Sequence, residues 1–136
     1  MFDFKIEIID DELNLEDCFL ESLFARLFIA KENNVYHNVV YINDLFIRLR
    51  EWMKSDKSQD FIYEEAVELD YEFGLKKDKD GVFNFEGFEG TSFKIENLDA
   101  FLNDFMLAIK KAFEDKGEIG KKYYEELSCL EIEFID

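Results

Sequence analysis

Carboxylates are the chemically loaded groups of this chain, and one long run of them without a base is in DFIYEEAVELDYEFGL, residues 60–75. From Val67 the residues alternate, with Val67, Leu69, Tyr71, Phe73 and Leu75 in one phase and Glu68, Asp70 and Glu72 in the other. That is the period-two signature of a half-buried strand. No Lys or Arg occurs between Lys57 and Lys76, while residues 58–75 hold six acids. Side chains of this kind serve three chemistries: a general acid–base pair, an oxygen-donor cation site, or a charged docking surface.

The first two find little support. Where acids are this abundant, no particular pair is marked out as a catalytic couple. The DKDG turn, residues 78–81, is the natural calcium-loop candidate. With Gly81 at the sixth position, the loop would begin at Lys76 and its twelfth residue would be Gly87, so both terminal carboxylates are missing. A plain hairpin turn is expected there. His37 is the only histidine, which leaves zinc chemistry and Cys–His or Ser–His nucleophilic catalysis without partners; it is expected on a strand face. The chain has no GxGxxG, GxxxxGK[ST] or GxSxG motif. Neither an enzyme, a cofactor nor a metal site is expected.

A docking surface fits the pattern better. Alternate residues of a strand lie about 7 Å apart, so each like-charge repulsion costs only a few tenths of a kcal/mol in water. The sum is tolerable, yet stability alone would not select it. Glu64, Glu65, Glu86 and Glu89 lie close by in the expected hairpin. The candidate partner-binding set is therefore Glu64, Glu65, Glu68, Asp70, Glu72, Glu86 and Glu89. Such a patch steers a basic surface towards itself and speeds the encounter. Acidity serving only solubility or tolerance of salt is the bland alternative. Trp52 and Phe88, near element ends, are the aromatics best placed to act as interface anchors.

The totals set the frame. Thirty-three acids against sixteen bases leave a formal charge of −17, which excludes nucleic acid and anionic membranes as direct partners. At 136 residues the chain reads as a single domain, 1–136. Its 16 Phe and 6 Tyr, with no Pro, argue for a packed core rather than disorder. There is no run of 18 apolar residues, and MFDFKIEIID lacks the regions of a signal peptide. A cytoplasmic protein, monomeric or weakly dimeric, is expected. Cys18 and Cys129 match no metal or redox spacing; two buried thiols are expected, with a disulfide left open.

These residues need elements to hold them. FDFKIEI (2–8) alternates as a half-buried strand, and DDELNLED (10–17) reads as a polar connection. Segments 22–30 and 35–42 are β-rich and flank KENN, a hairpin in which Asn33 or Asn34 would take the left-handed backbone; a helix over 15–22 is a live alternative to a strand start. A helix capped by Asn43 or Asp44 should run to Ser55. Residues 61–66 are expected to continue into a long strand, 67–76, with Gly81 in the turn and 82–89 returning. Strand 91–95 follows, with Gly87 and Gly90 allowing a bulge or bend. Residues 96–117 carry the clearest helical stripe, Leu98, Phe101, Leu102, Phe105, Ile109 and Phe113, with Asn97 as cap and Gly117 as stop. A short helical piece (120–127) and an alternating segment (129–135) complete the chain. The expectation is an α+β domain: an antiparallel β-sheet of about five to seven strands, two main helices packed on one face, and the acids on the other, wet face.

The succession FIYEEAVELDYEF, a DG turn, FNFEGFE and the amphipathic FKIENLDAFLNDFMLAIKKAF resembles, over about residues 40–115, the immunity proteins of bacterial polymorphic-toxin and contact-dependent growth inhibition systems. The resemblance implies a stoichiometric inhibitor of a basic nuclease toxin domain. It is one of layout and assigns no binding residue by position. Two alternatives stand beside it. One is a DNA mimic that blocks a restriction or CRISPR-type enzyme, since phosphates along one DNA strand recur at about the same 7 Å. The other is a small acidic binding or structural domain.

Overall fold

The structure, a computed structural model, describes residues 2–9, 23–64, 72–87 and 90–129, with the backbone alone at Glu64 and Glu72. The alternation of the first segment forms strand β1 (Asp3–Ile8). It pairs antiparallel with β2 (Phe24–Lys31), which pairs with β3 (Asn34–Tyr41) to make a three-stranded sheet. Tyr41 leads straight into helix α1 (Ile42–Lys54). The chain then forms β4 (Phe61–Glu64), β5 (Glu72–Lys77), β6 (Phe83–Gly87) and β7 (Ser92–Lys94), a four-stranded antiparallel sheet in sequence order. Helices α2 (Leu98–Glu114) and α3 (Glu118–Ser128) follow. No helix is long and apolar enough to cross a membrane among the described residues.

The class is α+β, but the expected single sheet with two main helices is corrected to two sheets and three helices among the described residues, the third where the short helical piece was expected. Alternation specifies which way side chains point and not which strands pair. The expected strand running through 61–76 is likewise two strands. β4 and β5 lie antiparallel, with Phe61 opposite Leu75 and Glu64 opposite Glu72. Phe61, Tyr63, Phe73 and Leu75 share odd-numbered phase, so the apolar phase is the same on both strands, and Glu65 and Ala66 are the local interruption of the alternation between them. Residues 65–71, which include most of the expected acidic strand, lie outside the described residues, as do 10–22 and 130–136 with the connection, the open helix-or-strand choice and the terminal alternating segment assigned to them.

Aromatic packing joins the sheets. Tyr36 on β3 is buried, and its ring centroid lies 4.9 Å from Phe85 and 5.7 Å from Phe73 on the second sheet. At Gly87 an added Cβ would stand 2.7 Å from the Tyr36 ring, so the absence of a side chain lets β6 close against β3. The Tyr41 N–H donates to the Tyr63 hydroxyl at 3.2 Å, and Lys31 Nζ donates to the Lys94 carbonyl at 2.8 Å. On α2, fully buried Phe105 lies 5.1 Å from Phe4 and 6.4 Å from Phe73 by ring centroid, so one residue of the stripe touches both sheets. The buried side chains form one continuous core.

Local signals were kept in most places and redirected in four. Asn97 Oδ1 accepts the Ala100 N–H at 3.0 Å, the N-cap bond expected of it. Gly81 and Gly117 both have positive φ, at 80° and 81°. In the β2–β3 hairpin, however, the left-handed residue is Glu32, φ 57°, rather than either Asn, because the two-residue loop closes on Lys31 and Asn34 and needs positive φ at its first position. Asn43 is not a cap: Tyr41 holds the N-cap position without a side-chain bond. Asn43 sits inside the first turn, 7% exposed, and its Oδ1 accepts the Leu23 N–H at 3.1 Å while the Ile42 N–H donates to the Leu23 carbonyl at 2.9 Å. The entry to β2 is thereby tied to the start of α1. Trp52 is no exposed anchor; it lies 5.7 Å from Phe61 and 5.6 Å from Phe83 by ring centroid, and its Nε1–H donates to the Gln59 carbonyl at 2.9 Å. Cys129, at the end of α3, is exposed and unbridged rather than buried, because the α3 stripe faces inward through Tyr123 and Leu127.

Two substitutions test this construction. Asn43→Ala leaves the buried Leu23 N–H without its acceptor and should cost about 1–3 kcal/mol in urea unfolding; a change below about 0.5 kcal/mol would show the tie to be incidental. Gly87→Ala forces the Tyr36 ring, itself wedged against Phe73 and Phe85, to move. Overpacking of that kind costs about 1–3 kcal/mol, read as a lowered denaturation midpoint at unchanged slope.

Candidate functional site

The second sheet is where the sequence places the acidic surface. Along β5 the residues facing the core are Phe73 and Leu75, both buried. Positions 72, 74 and 76 therefore belong to the other face. Across that face Glu64 is opposite Glu72, Gly74 is opposite Glu86, and Lys76 is opposite Asn84, which is opposite Lys94. Three of the seven candidate positions, 64, 72 and 86, thus fall on three adjacent strands within two register steps. Gly74 on this face is covered by its neighbours: an added Cβ would meet the Phe61 carbonyl at 2.9 Å and the Ile62 side chain at 3.1 Å. Glu65, Glu68, Asp70 and Glu89 lie outside the described residues, as does Phe88.

The face also carries the chain's own cations. Lys76 Nζ lies 3.5 Å from Glu86 Oε2, with side chains 42% and 47% exposed, and Lys94 stands on the neighbouring strand. Exposed pairs of this sort contribute about 0–1 kcal/mol and are readily exchanged for a partner's charge. Glu86 is therefore engaged internally but remains open to competition.

Other acids of the same sequence region do structural work. Asp60, the first acid of the 58–75 run, accepts the Lys77 N–H at 3.0 Å. Asp78 organises the hairpin turn: its Oδ1 accepts the Asp80 and Val82 N–H groups at 2.9 and 3.0 Å, and Asn84 Nδ2 donates to its Oδ2 at 3.3 Å. These bonds, that from Val82 foremost, hold the Asp78 carboxyl below the ordinary range. Asp56 is lowered in the same way, chiefly by the Ser58 N–H. The calcium-loop candidate is thus a turn whose lone pairs are spent on its own backbone. Among the described residues no group of three or more His, Cys, Asp and Glu side chains is placed to hold a metal ion.

The remaining chemistry-bearing residues are scattered. His37 lies exposed on β3, stacked on Phe28 with centroids 4.1 Å apart and planes 8° off parallel. A groove of about 500 Å³ is lined by residues 5–9 in and just after β1, by Phe28 of β2, and by Ala112, Asp115 and Lys116 at the end of α2, with neither His nor Cys among them.

The feature that the charge argument missed is on the first sheet. The outer face of β2 and β3 presents Phe24, Phe28 and Val35, exposed by 38%, 37% and 55%, together with Val39 and Tyr41. An antiparallel sheet with one wet face normally alternates apolar with polar residues. Segments 24–31 and 34–41 break that rule in the sequence itself, being apolar in both phases, and this was the available signal.

The lowered carboxyl of Asp78 has a pH consequence. A folded-state pKa below the unfolded value contributes stability that is present above about pH 4 and is lost as pH falls through the folded value. Urea unfolding between pH 2 and 5 should therefore show the wild-type chain losing stability relative to Asp78→Asn as acid is added. Parallel profiles for the two would remove Asp78 from the acid response.

No family model matches this chain, and no curated protein or solved structure matches it either.

Proposed function

We propose that this chain is a non-catalytic inhibitor that binds a basic protein partner, a cognate bacterial toxin nuclease domain, through an acidic surface on the second sheet. The observation that carries the reading is the charge: 33 acids against 16 bases in 136 residues. A net charge of −17 opposes folding by self-repulsion, so it has a use that offsets its cost. The register of Glu64, Glu72 and Glu86 on adjacent strands supports the location, with Glu65, Glu68, Asp70 and Glu89 completing the set. The inhibitor works in the cytoplasm, where it meets a nuclease before that enzyme reaches nucleic acid. Long-range attraction raises the encounter rate, and the apolar contacts made afterwards set the residence time.

The test is association with the nuclease domain encoded immediately upstream of this chain's gene. Glu68, Asp70, Glu72 and Glu86 changed together to Lys should slow association by about tenfold or more at low salt, with the circular dichroism spectrum unchanged. Lys76→Glu, which removes the cation beside Glu86, should act in the opposite direction and speed it. Rates indifferent to both changes would dismiss the second sheet as the docking surface. Competition with DNA for several unrelated basic proteins, in place of one cognate partner, would favour the mimic.

A further inference from the structure

We propose that the outer face of the first sheet is a self-association surface, on which a second copy of this chain docks face to face. This inference is independent of the inhibitory reading, which uses the other sheet.

The argument begins with composition. Phe28 and His37 stand directly opposite each other on β2 and β3 and stack nearly parallel, making a flat aromatic plate. Val35 and Val39 extend it along β3, and Val35 is 55% exposed. Exposed apolar residues are common singly, but a contiguous aromatic and β-branched plate on a regular sheet marks a docking surface. Aromatics with a central Arg are the usual make-up of interface cores, and Arg26 projects from this plate opposite Val39.

Charge decides the occupant. The sheet's outward-facing ionised groups are Asp3, Lys5 and Glu7 on β1 and Arg26 on β2, two acids and two bases. In a chain of net charge −17 this face is formally neutral. A strongly basic partner finds no excess of acid there, whereas a second copy finds its own complement. Arg26 Nη1 lies 3.4 Å from Glu7 Oε1 across the β1–β2 pair, with side chains 52% and 71% exposed. Under a two-fold axis a contact between residue i and residue j is repeated as j with i. Glu7 of each copy then faces Arg26 of the other, and the pairs exchange partners without leaving a charge unmatched. The two plates meet between them, and the surplus acids of both chains stay outside the contact.

The charge outside the contact gives association a diagnostic salt response. Two chains of −17 repel each other beyond the interface, and that repulsion is screened over about 8 Å at physiological ionic strength. Self-association through a neutral apolar face therefore strengthens as salt is added, the reverse of what a basic partner on an acidic face would show.

The experiment is sedimentation equilibrium of the full chain across about 1 μM to 1 mM, the range of weak association, at low and at raised NaCl. The expected result is a dimer whose fraction rises with concentration and with salt. Glu7→Arg places like charges across the axis and should weaken the dimer by about tenfold or more. The exchange Glu7→Arg with Arg26→Glu should restore it to within about threefold, the signature of a true pairwise coupling. Phe28→Ser should weaken it in either charge background. Glu7 and Arg26 are largely exposed, so the spectrum of each variant serves as the folding control. A chain that stays monomeric throughout the range overturns the proposal, as does a dimer that is indifferent to Glu7→Arg or is not restored by the exchange.

Discussion

The structure depends on the aromatic junction at Tyr36. A three-stranded and a four-stranded sheet each carry an apolar inner face that must be buried against another element. Tyr36 brings the ring of one sheet onto Phe73 and Phe85 of the other, and Gly87 removes the side chain that would hold them apart. Phe105 continues the stack to α2, and from there Phe101 and Phe4 carry it back to β1. Apolar burial is non-directional, but ring pairs tilted or edge-on at 5–6 Å add a geometric preference. A run of such pairs through one core specifies how two sheets and a helix sit together.

That core has a second duty, which is to hold a chain of net charge −17 compact. The charge is distributed in a way that limits its cost. The carboxylates of Asp56, Asp60 and Asp78 accept hydrogen bonds from backbone N–H groups at the ends of strands and turns. There a negative group is a hydrogen-bond acceptor first and a charge second. Asp44, Glu51, Glu86 and Glu118 lie beside Arg or Lys. The acids thus divide into those that serve the fold and those available for steering, and a count of carboxylates alone does not make that division. On the second sheet, Lys76 and Lys94 temper the face on which Glu86 lies.

The two sheets consequently offer different surfaces. The second carries Glu86 beside Lys76, with Lys94 on the neighbouring strand. The first carries a neutral aromatic plate. Steering by charge and adhesion by apolar contact are separable physical tasks, and the two proposals above assign them to separate sheets.

Much of this was legible in the residues. The period of two in β1, β5 and β6, the stripe of α2, the Asn97 cap, the Gly81 turn and the charge excess all follow from local rules, because they concern which way neighbouring side chains point and which backbone angles a residue tolerates. Tertiary structure alone decided how the strands were divided. β4 and β5 are in the same phase on either side of the interruption at Glu65 and Ala66, so the phase does not say that they are separate strands, and pairing is settled by which faces fit. It also decided the fate of individual polar groups. Asn43, an adequate cap by type, instead satisfies Leu23, and Glu86, an acid of the expected patch, finds Lys76. A residue's chemistry is written in its type, but its partner lies far away in sequence, and only the packed core brings the two within reach.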